Sequence, residues 1–254
     1  MPAKRVLVGY GVDVDAVSGW LNTRSGAPAN PTNISRGIFG ATVGIDRLLR
    51  LFEKYSIRAT FFTPAHSLES FPKQLAKVRD AGHELGLHGY THEHISTLSV
   101  QQQRDVPVGS IDRLTAFTGT KPRGYTAPAW STTRKLIPTL EEMGIVYDHS
   151  FMHHDYQMYY APDNSQTWVE TDTSKDAETW MHPMGELKPS KIVEIPANWH
   201  VDDWPPLQPS PGVAGTHGFV DMHSVERLWK DQFDFAYREL IEYINAHDGV
   251  EWLA

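Results

Sequence analysis

The chain contains no cysteine among its 254 residues. Disulfide bridges and thiolate-bound metals are therefore excluded, and any metal must be held by histidine and carboxylate. Basic residues are in the minority: 23 Lys and Arg stand against 31 Asp and Glu, a formal net charge of −8. A nucleic-acid partner needs a basic face to neutralise phosphate, so none is expected. No apolar run is long enough to cross a membrane, and no membrane partner is expected. The opening "MPAKRVLVGYGVDVDA" is basic and then apolar, but Gly9, Gly11 and Asp13 break the run before it reaches the length of a secretory signal. It reads as a first buried strand, and the protein is expected to be cytoplasmic. What remains is an ordinary globular balance, 40% hydrophobic and 21% charged, with ample length for a sizeable core.

The first half alternates strand-like and helix-like segments. "RVLVGYGVDVD", "IRATFFT", "HELGLHGY", "GYTAPAW" and "IVYDHSF" read as strands or strand-turns. Between them, "GATVGIDRLLRLFEKY" spaces Val43, Leu48, Leu49, Leu51 and Phe52 as one helical face. "FPKQLAKVRDAG" is a helix with Pro72 near its start and Gly82 beyond its end. "SVQQQRDVPVGSIDRLTAFTG" is helical with Pro107 expected to kink or interrupt it, and "TTRKLIPTLEEMG" is a further helix. This rhythm predicts an α/β fold with a parallel sheet, closed into a barrel. From Met152 to Ser190 the pattern dissolves into polar, aromatic loop, after which "KIVEIPANW" restores a strand. "DDWPPLQPSPGVAG" is irregular surface chain, and "SVERLWKDQFDFAYRELIEYINAHDG" keeps helical spacing. No linker divides the chain, so one domain over residues 1–254 is expected.

In "GLHGYTHEH", residues 86–94, His88 and His92 stand four apart, the spacing at which two imidazoles can converge on one ion. In "GVDVDA", Asp13 and Asp15 project from the same side of an extended strand, with Val12 and Val14 on the other. Function in parallel α/β folds gathers at the carboxyl ends of strands, where both motifs fall. Two neutral imidazoles and one carboxylate would leave open positions on a zinc-like ion, and a second carboxylate would be free to take a proton from water there. Burial would raise the pKa of Asp13 and a nearby cation would lower it, a balance that sequence leaves open. Taken singly, D-x-D at a strand end is more often turn chemistry, and one H-x-x-x-H in a chain with 13 histidines is more often incidental. On spacing alone, the metal site and its incidental counterpart stand level.

Together these residues resemble the polysaccharide deacetylase family, whose catalytic domain is a distorted (β/α) barrel. The spaced acids are similar to a subgroup that includes cyclic imide hydrolases and peptidoglycan-deacetylase-like proteins. "DVDAVSGWL", "ISRGIFG", "GHELGLHGYTHE", "GYTAPAW", "YDHSFMHHDYQ", "AETWMHP" and "EIPANWHVDDWPP" resemble that subgroup over nearly the whole chain. The resemblance implies Asp13 as general base and Asp15, His88 and His92 as ligands of a divalent metal, with zinc the expected ion. Trp130, Asp203 and Trp204 are expected on the substrate side, since aromatic walls suit sugar or imide rings; ordinary core burial is the competing account of both tryptophans.

Two departures from the family pattern have consequences. The family places an Arg two residues before a Pro to orient the base, whereas Thr126 precedes Pro128 here and Arg123 lies three positions too early. The backbone N–H of Ala129 is still a candidate oxyanion donor. The family's last motif is a strand ending in His-Pro, whose His protonates the leaving amine. Its expected place is between "FDFAYRE" and "LIEYINAHDG", which abut at Glu239–Leu240, so one late strand and its His are expected to be missing. His182-Pro183 and His247 match other segments, which leaves His149, His153, His154 and His200 as possible replacements. Loss of a positioned acid would weaken the reaction by about a hundred- to ten-thousand-fold without removing metal binding. The implied function is thus a metal-dependent hydrolase of non-peptide C–N bonds: an N-deacetylase of N-acetylated sugars, or alternatively a cyclic imide hydrolase. The contrasting expectation is a metal-binding homologue with impaired catalysis. Sheet edges exposed by a lost strand would suit a homo-oligomer.

Overall fold

Seven short strands organise the protein, in a computed structural model that describes residues 8–21, 28–163, 167–207 and 220–235. In chain order the elements are β1 (Gly11–Asp13), α1 (Ser18–Leu21), α2 (Pro31–Phe39), α3 (Ile45–Tyr55), β2 (Thr60–Thr63), α4 (Ala65–Ser70), α5 (Pro72–Asp80), β3 (Glu84–Leu87), α6 (Val100–Thr118), β4 (Gly124–Tyr125), α7 (Leu136–Glu142), β5 (Tyr147–Asp148), β6 (Tyr159–Asp163), β7 (Lys188–Glu194), α8 (Trp204–Leu207) and α9 (Met222–Asp234). The sheet runs β1-β2-β3-β4-β5-β7-β6. Every pairing is parallel except β6 on β7. This is the expected α/β fold with a mostly parallel sheet. Among the described residues its two ends, β1 and β6, do not pair with each other. The junction at Glu239–Leu240, where a late strand is expected to be missing, lies outside the described residues, as does His247.

The described residues divide into two compact units. The larger holds residues 8–151 and 158–195, and with them the sheet and α1–α7; the smaller holds residues 152–157, 196–207 and 220–235, with α8 and α9. In the larger unit, strands buried on both faces read as apolar runs, as parallel sheets require. Phe61, Leu87, Leu75, Leu114 and Ile192 are almost wholly shielded from solvent. In the smaller unit, Ala197 and Val225 are buried and the Tyr156 hydroxyl donates to the Gln232 carbonyl at 3.1 Å. No helix among the described residues is long and apolar enough to cross a membrane.

Helix ends follow local chemistry. Asn30 caps α2 by accepting from the Thr32 N–H, with Pro31 at the first helical position. Ser99 and Gln102 form a reciprocal capping box for α6, and Gly119 ends it in the left-handed conformation. Pro107 does not interrupt α6, one of the two effects expected of it: the residue is buried, and the helix runs from Val100 to Thr118 as the sequence spacing predicts. The expected apolar face before and along α3 also shifts. Ile45, Leu48, Leu49 and Phe52 turn inward at i, i+3, i+4 and i+7, while Val43 and Leu51 stay 40% and 46% exposed. Residues 40–44 form a wide π-helical turn, which takes Val43 out of phase, and Leu51 lies one step round from Phe52. β6 falls inside the stretch expected to be loop. It is an edge strand carrying Pro162 at a register irregularity, so it lacks the alternation by which strands are recognised.

One close approach fixes the chain beyond β1. A Cβ on Gly37 would lie 2.4 Å from the Ala16 carbonyl oxygen and 2.8 Å from Val17 Cα, backbone atoms that cannot swing away. Ala16 itself adopts φ +50°. Gly37→Ala gains about 1 kcal/mol in helix propensity, against an overpacking cost of about 1–3 kcal/mol. A lower urea midpoint is the expected result; an unchanged or higher midpoint would mean that the turn after Asp15 yields freely.

Candidate metal centre

β1 and β2 are in register from Gly11 to Asp13, and β2 with β3 from Glu84 to Leu87, so the carboxyl ends of β1 and β3 lie one strand apart. Asp13 ends β1, and Val14 continues the pairing by donating to the Phe62 carbonyl. The chain then turns, and both carboxylates reach the histidine that follows β3. Asp15 Oδ1 is 3.4 Å and Asp13 Oδ2 3.6 Å from His88 Nε2, and Asp15 Oδ2 is 3.3 Å from His92 Nε2. Asp15, His88 and His92 each offer a ligand atom within 4.8 Å of the others, and these three residues could hold a metal ion.

Two observations show that the donor set fits a cation. First, His88 is fully buried, and its Nδ1 sits 2.7 Å from the Thr126 carbonyl oxygen. A carbonyl only accepts, so Nδ1 carries the proton and Nε2 is turned toward the carboxylates. His88 Nε2 and Asp15 Oδ1 are both buried and neither makes a hydrogen bond, an arrangement that costs free energy unless something else satisfies both. Second, the carboxylate stands between the two ring nitrogens: Asp15 Oδ1 faces His88 Nε2 at 3.4 Å and Asp15 Oδ2 faces His92 Nε2 at 3.3 Å.

The site is held by its loops. The Asp15 carbonyl accepts from the Ser18 N–H and from Ser67 Oγ, each at 2.8 Å, and Ser67 Oγ also contacts Ser18 Oγ. His92 sits at φ +56°, a backbone conformation that only firm support makes tolerable for a side chain of this size. Glu93 supplies that support. Its carboxylate accepts from the N–H groups of Tyr90 (2.8 Å) and Thr91 (2.6 Å) and from the Thr91 hydroxyl (2.9 Å). Gly89, at φ +68°, leaves room for that carboxylate, because a Cβ there would meet Glu93 Oε1 at 2.8 Å.

Electrostatics separate the two acids. For Asp15, burial works to raise the pKa, but the charges of His92 and His88 and the His88 contact outweigh it and lower the value to about 2. For Asp13, burial and the Asp15 charge prevail over His88, His149 and His92, and the pKa rises. The Asp13 side chain keeps 44% of its surface open, which tempers that rise and leaves the carboxylate within reach of water. Burial disfavours charge on His88, yet Asp13, Asp15 and the Thr126 carbonyl together push it up to about 9. Burial dominates at His92 and lowers its pKa.

Known proteins resemble this chain. The polysaccharide deacetylase family model matches residues 40–148. A peptidoglycan deacetylase of Helicobacter pylori is 40% identical over 277 aligned residues, covering 99% of this chain and 94% of the relative. The chain belongs to the polysaccharide deacetylase family. A peptidoglycan deacetylase-like protein of Gibberella zeae is 39% identical over 92% of this chain and 70% of its own length. A solved structure from Mycobacterium smegmatis, assigned as a polysaccharide deacetylase, aligns over 94% of this chain and 78% of that one, with 26% identity and a TM-score of 0.72.

Against the family pattern, the neighbours of Asp13 are unusual. Arg123 is exposed and lies just before β4, and its carbonyl accepts from Val146 and Tyr147 at the amino end of β5, so it is remote from the carboxyl-end rim. The groups whose electrostatic influence lowers the Asp13 pKa are histidines: His88, His149 and His92. Trp130 is half-buried and meets the His149 ring edge-on at 5.9 Å. Asp203 and Trp204 belong to the smaller unit, where Trp204 keeps 38% of its surface exposed. Sequence reasoning missed Glu93, although an acid wedged between two histidines was a visible signal. It also missed a buried pair, Asp148 and Glu194, which are register partners on β5 and β7. Glu194 Oε1 accepts from the Ser150 and Phe151 N–H groups, and Asp148 Oδ1 accepts from Ser150 Oγ. Burial raises the pKa of Asp148, and burial together with the Asp148 charge raises that of Glu194, so the pair holds a proton well above the ordinary carboxyl range.

Two outcomes follow from this geometry. Glu93→Ala should weaken binding of an added divalent cation by about 10–100-fold in a calorimetric titration, the usual cost of losing a group that orients metal ligands; undiminished affinity would show that the loop holds His92 unaided. Both acids of the buried pair have folded pKa values above their ordinary ones, so their stabilisation is complete below the ordinary carboxyl range and is lost as pH rises from there through the raised values. Glu194→Gln removes one of these titrations and should flatten the alkaline fall of the urea midpoint; an equally steep fall would place the proton elsewhere.

Proposed function

We propose that this protein is a zinc-dependent N-deacetylase that hydrolyses the acetamido group of N-acetylated sugars. The observation that carries this reading is the convergence of Asp15, His88 and His92, with Asp13 held 3.6 Å from His88 Nε2 yet outside the ligand trio. The names of the H. pylori and G. zeae relatives support peptidoglycan as the polymer class. When bound, a zinc ion supplies Lewis acidity, polarising an amide carbonyl and acidifying water beside it.

The chain's own residues do the rest. Asp15, His88 and His92 hold the ion, the last two through Nε2. Asp13 accepts the proton of the attacking water at its open carboxylate, and its raised pKa suits a base that must keep a proton once it has taken one. Ala129 follows Pro128 in a left-handed conformation (φ +52°), strain of the kind that collects at functional loops, and its N–H is the proposed donor to the developing oxyanion. Trp130 offers an aromatic wall to the sugar ring. Asp203 and Trp204 are assigned to the substrate side on the strength of the "HVDDWPP" motif alone.

The test is acetate release from N-acetylglucosamine oligomers and peptidoglycan fragments by zinc-loaded protein. Asp13→Asn should lower kcat by about a hundred- to ten-thousand-fold while zinc still binds, whereas Asp15→Ala and His88→Ala should lose both zinc and turnover. Turnover of a simple cyclic imide in place of the sugar would select the other branch of the subgroup, and turnover of neither by the zinc-loaded protein would overturn the hydrolase reading.

A further inference from the structure

Amide hydrolysis needs a proton on the departing nitrogen, because an amide anion is too basic to leave unprotonated. The H. pylori relative aligns over 277 positions, more than the 254 residues of this chain, so it carries residues that this chain lacks. A proton donor in the larger unit is therefore worth seeking among residues already at the rim.

His149 is one residue already at that rim. It follows β5 directly, at the carboxyl end of the sheet where Asp13 and His88 also stand. Its Nδ1 lies 2.7 Å from the Ile195 carbonyl oxygen, which accepts and so fixes the proton on Nδ1 and turns Nε2 away from the backbone. The ring lies nearly parallel to that of Phe62, 6.2 Å centre to centre and 17° between planes, and Phe62 is the register partner of Asp13. Trp130 meets the same ring edge-on at 5.9 Å. The imidazole is half-buried, so it is held in place and still reachable. It lies outside the Asp15, His88 and His92 trio, yet within electrostatic range of Asp13. By contrast, His154 turns its Nδ1 to the N–H groups of Tyr156 and Gln157. His153, His154 and His200 all belong to the smaller unit.

The geometry points to His149 as the group that protonates the departing amine. This rests on the deacetylase reading above. As the C–N bond breaks, its electron pair goes to nitrogen and the nitrogen takes the proton from His149 Nε2. The imidazole is left neutral, with Nδ1–H still bonded to the Ile195 carbonyl. Asp13 has meanwhile taken one proton from water, and exchange of protons with solvent resets both groups.

The experiment compares zinc-loaded wild type with His149→Asn and His149→Gln on two substrates. One is an N-acetylglucosamine oligomer, whose amine must be protonated to leave; the other is 4-nitrophenyl acetate, whose phenolate leaves as the anion. The expected result is a fall of about a hundredfold or more in the ratio of amide to ester kcat, with KM for the oligomer little changed, loss of the alkaline limb of the amide pH profile, and calorimetric zinc affinity like that of wild type. Amide and ester rates that fall together would mean that His149 is only a wall of the site, and amide turnover that survives would overturn the assignment while leaving the deacetylase reading intact. A wild type that releases acetate from the ester alone would overturn both.

Discussion

The hydrogen bond from His88 Nδ1 to the Thr126 carbonyl, 2.7 Å long and fully buried, joins the ends of adjacent strands β3 and β4. Because a backbone carbonyl cannot donate, it dictates which ring nitrogen faces the cleft. With Nε2 turned toward Asp15, an unbonded buried nitrogen and an unbonded buried carboxylate oxygen stand opposite each other. The remaining architecture serves this confrontation: β2 spaces β1 from β3, the Ser18–Ser67 pair holds the turn after β1, and Glu93 holds the strained loop that presents His92. A parallel sheet is well suited to the task, since it brings successive carboxyl ends to one rim and buries the backbone that positions them.

Around that centre the electrical environment is made of imidazoles rather than a guanidinium. Thr126 occupies the place where the family pattern has an arginine, yet it is not idle, because its carbonyl is the partner of His88. Asp13 therefore has imidazole neighbours, whose charge depends on protonation. A carboxylate without a fixed cation beside it holds a proton more readily, in keeping with the direction of its pKa. The buried Asp148–Glu194 pair lies one residue from His149 and Ile195, the two ends of the hydrogen bond that orients the His149 ring. One proton kept on that pair spares the rim a second buried negative charge.

Much of this was legible in the amino-acid sequence because the relevant features are short-range and periodic. D-x-D at the end of an apolar run and H-x-x-x-H after the third run both sit where strands terminate, and Asp13, Asp15, His88 and His92 do converge. What escaped reading depended on tertiary context. Pro107 is absorbed by a helix capped at both ends, Val43 is rotated outward by a π turn, and β6 is an edge strand with a proline. The role of Thr126 was hidden for a different reason: its contribution is a backbone carbonyl, which every residue possesses. Glu93 and Glu194 act on backbone N–H groups, a use of carboxylate that spacing alone does not reveal.

The central claim is that Asp15, His88 and His92 are one cation-binding unit. It is tested most directly by anomalous diffraction at the zinc absorption edge from crystals of the full chain grown with zinc. The account predicts one strong peak bounded by an Asp15 carboxylate oxygen and the Nε2 atoms of His88 and His92, with His88 Nδ1 still bonded to the Thr126 carbonyl. Zinc bound elsewhere, with His88 Nε2 paired directly to Asp15, would contradict it.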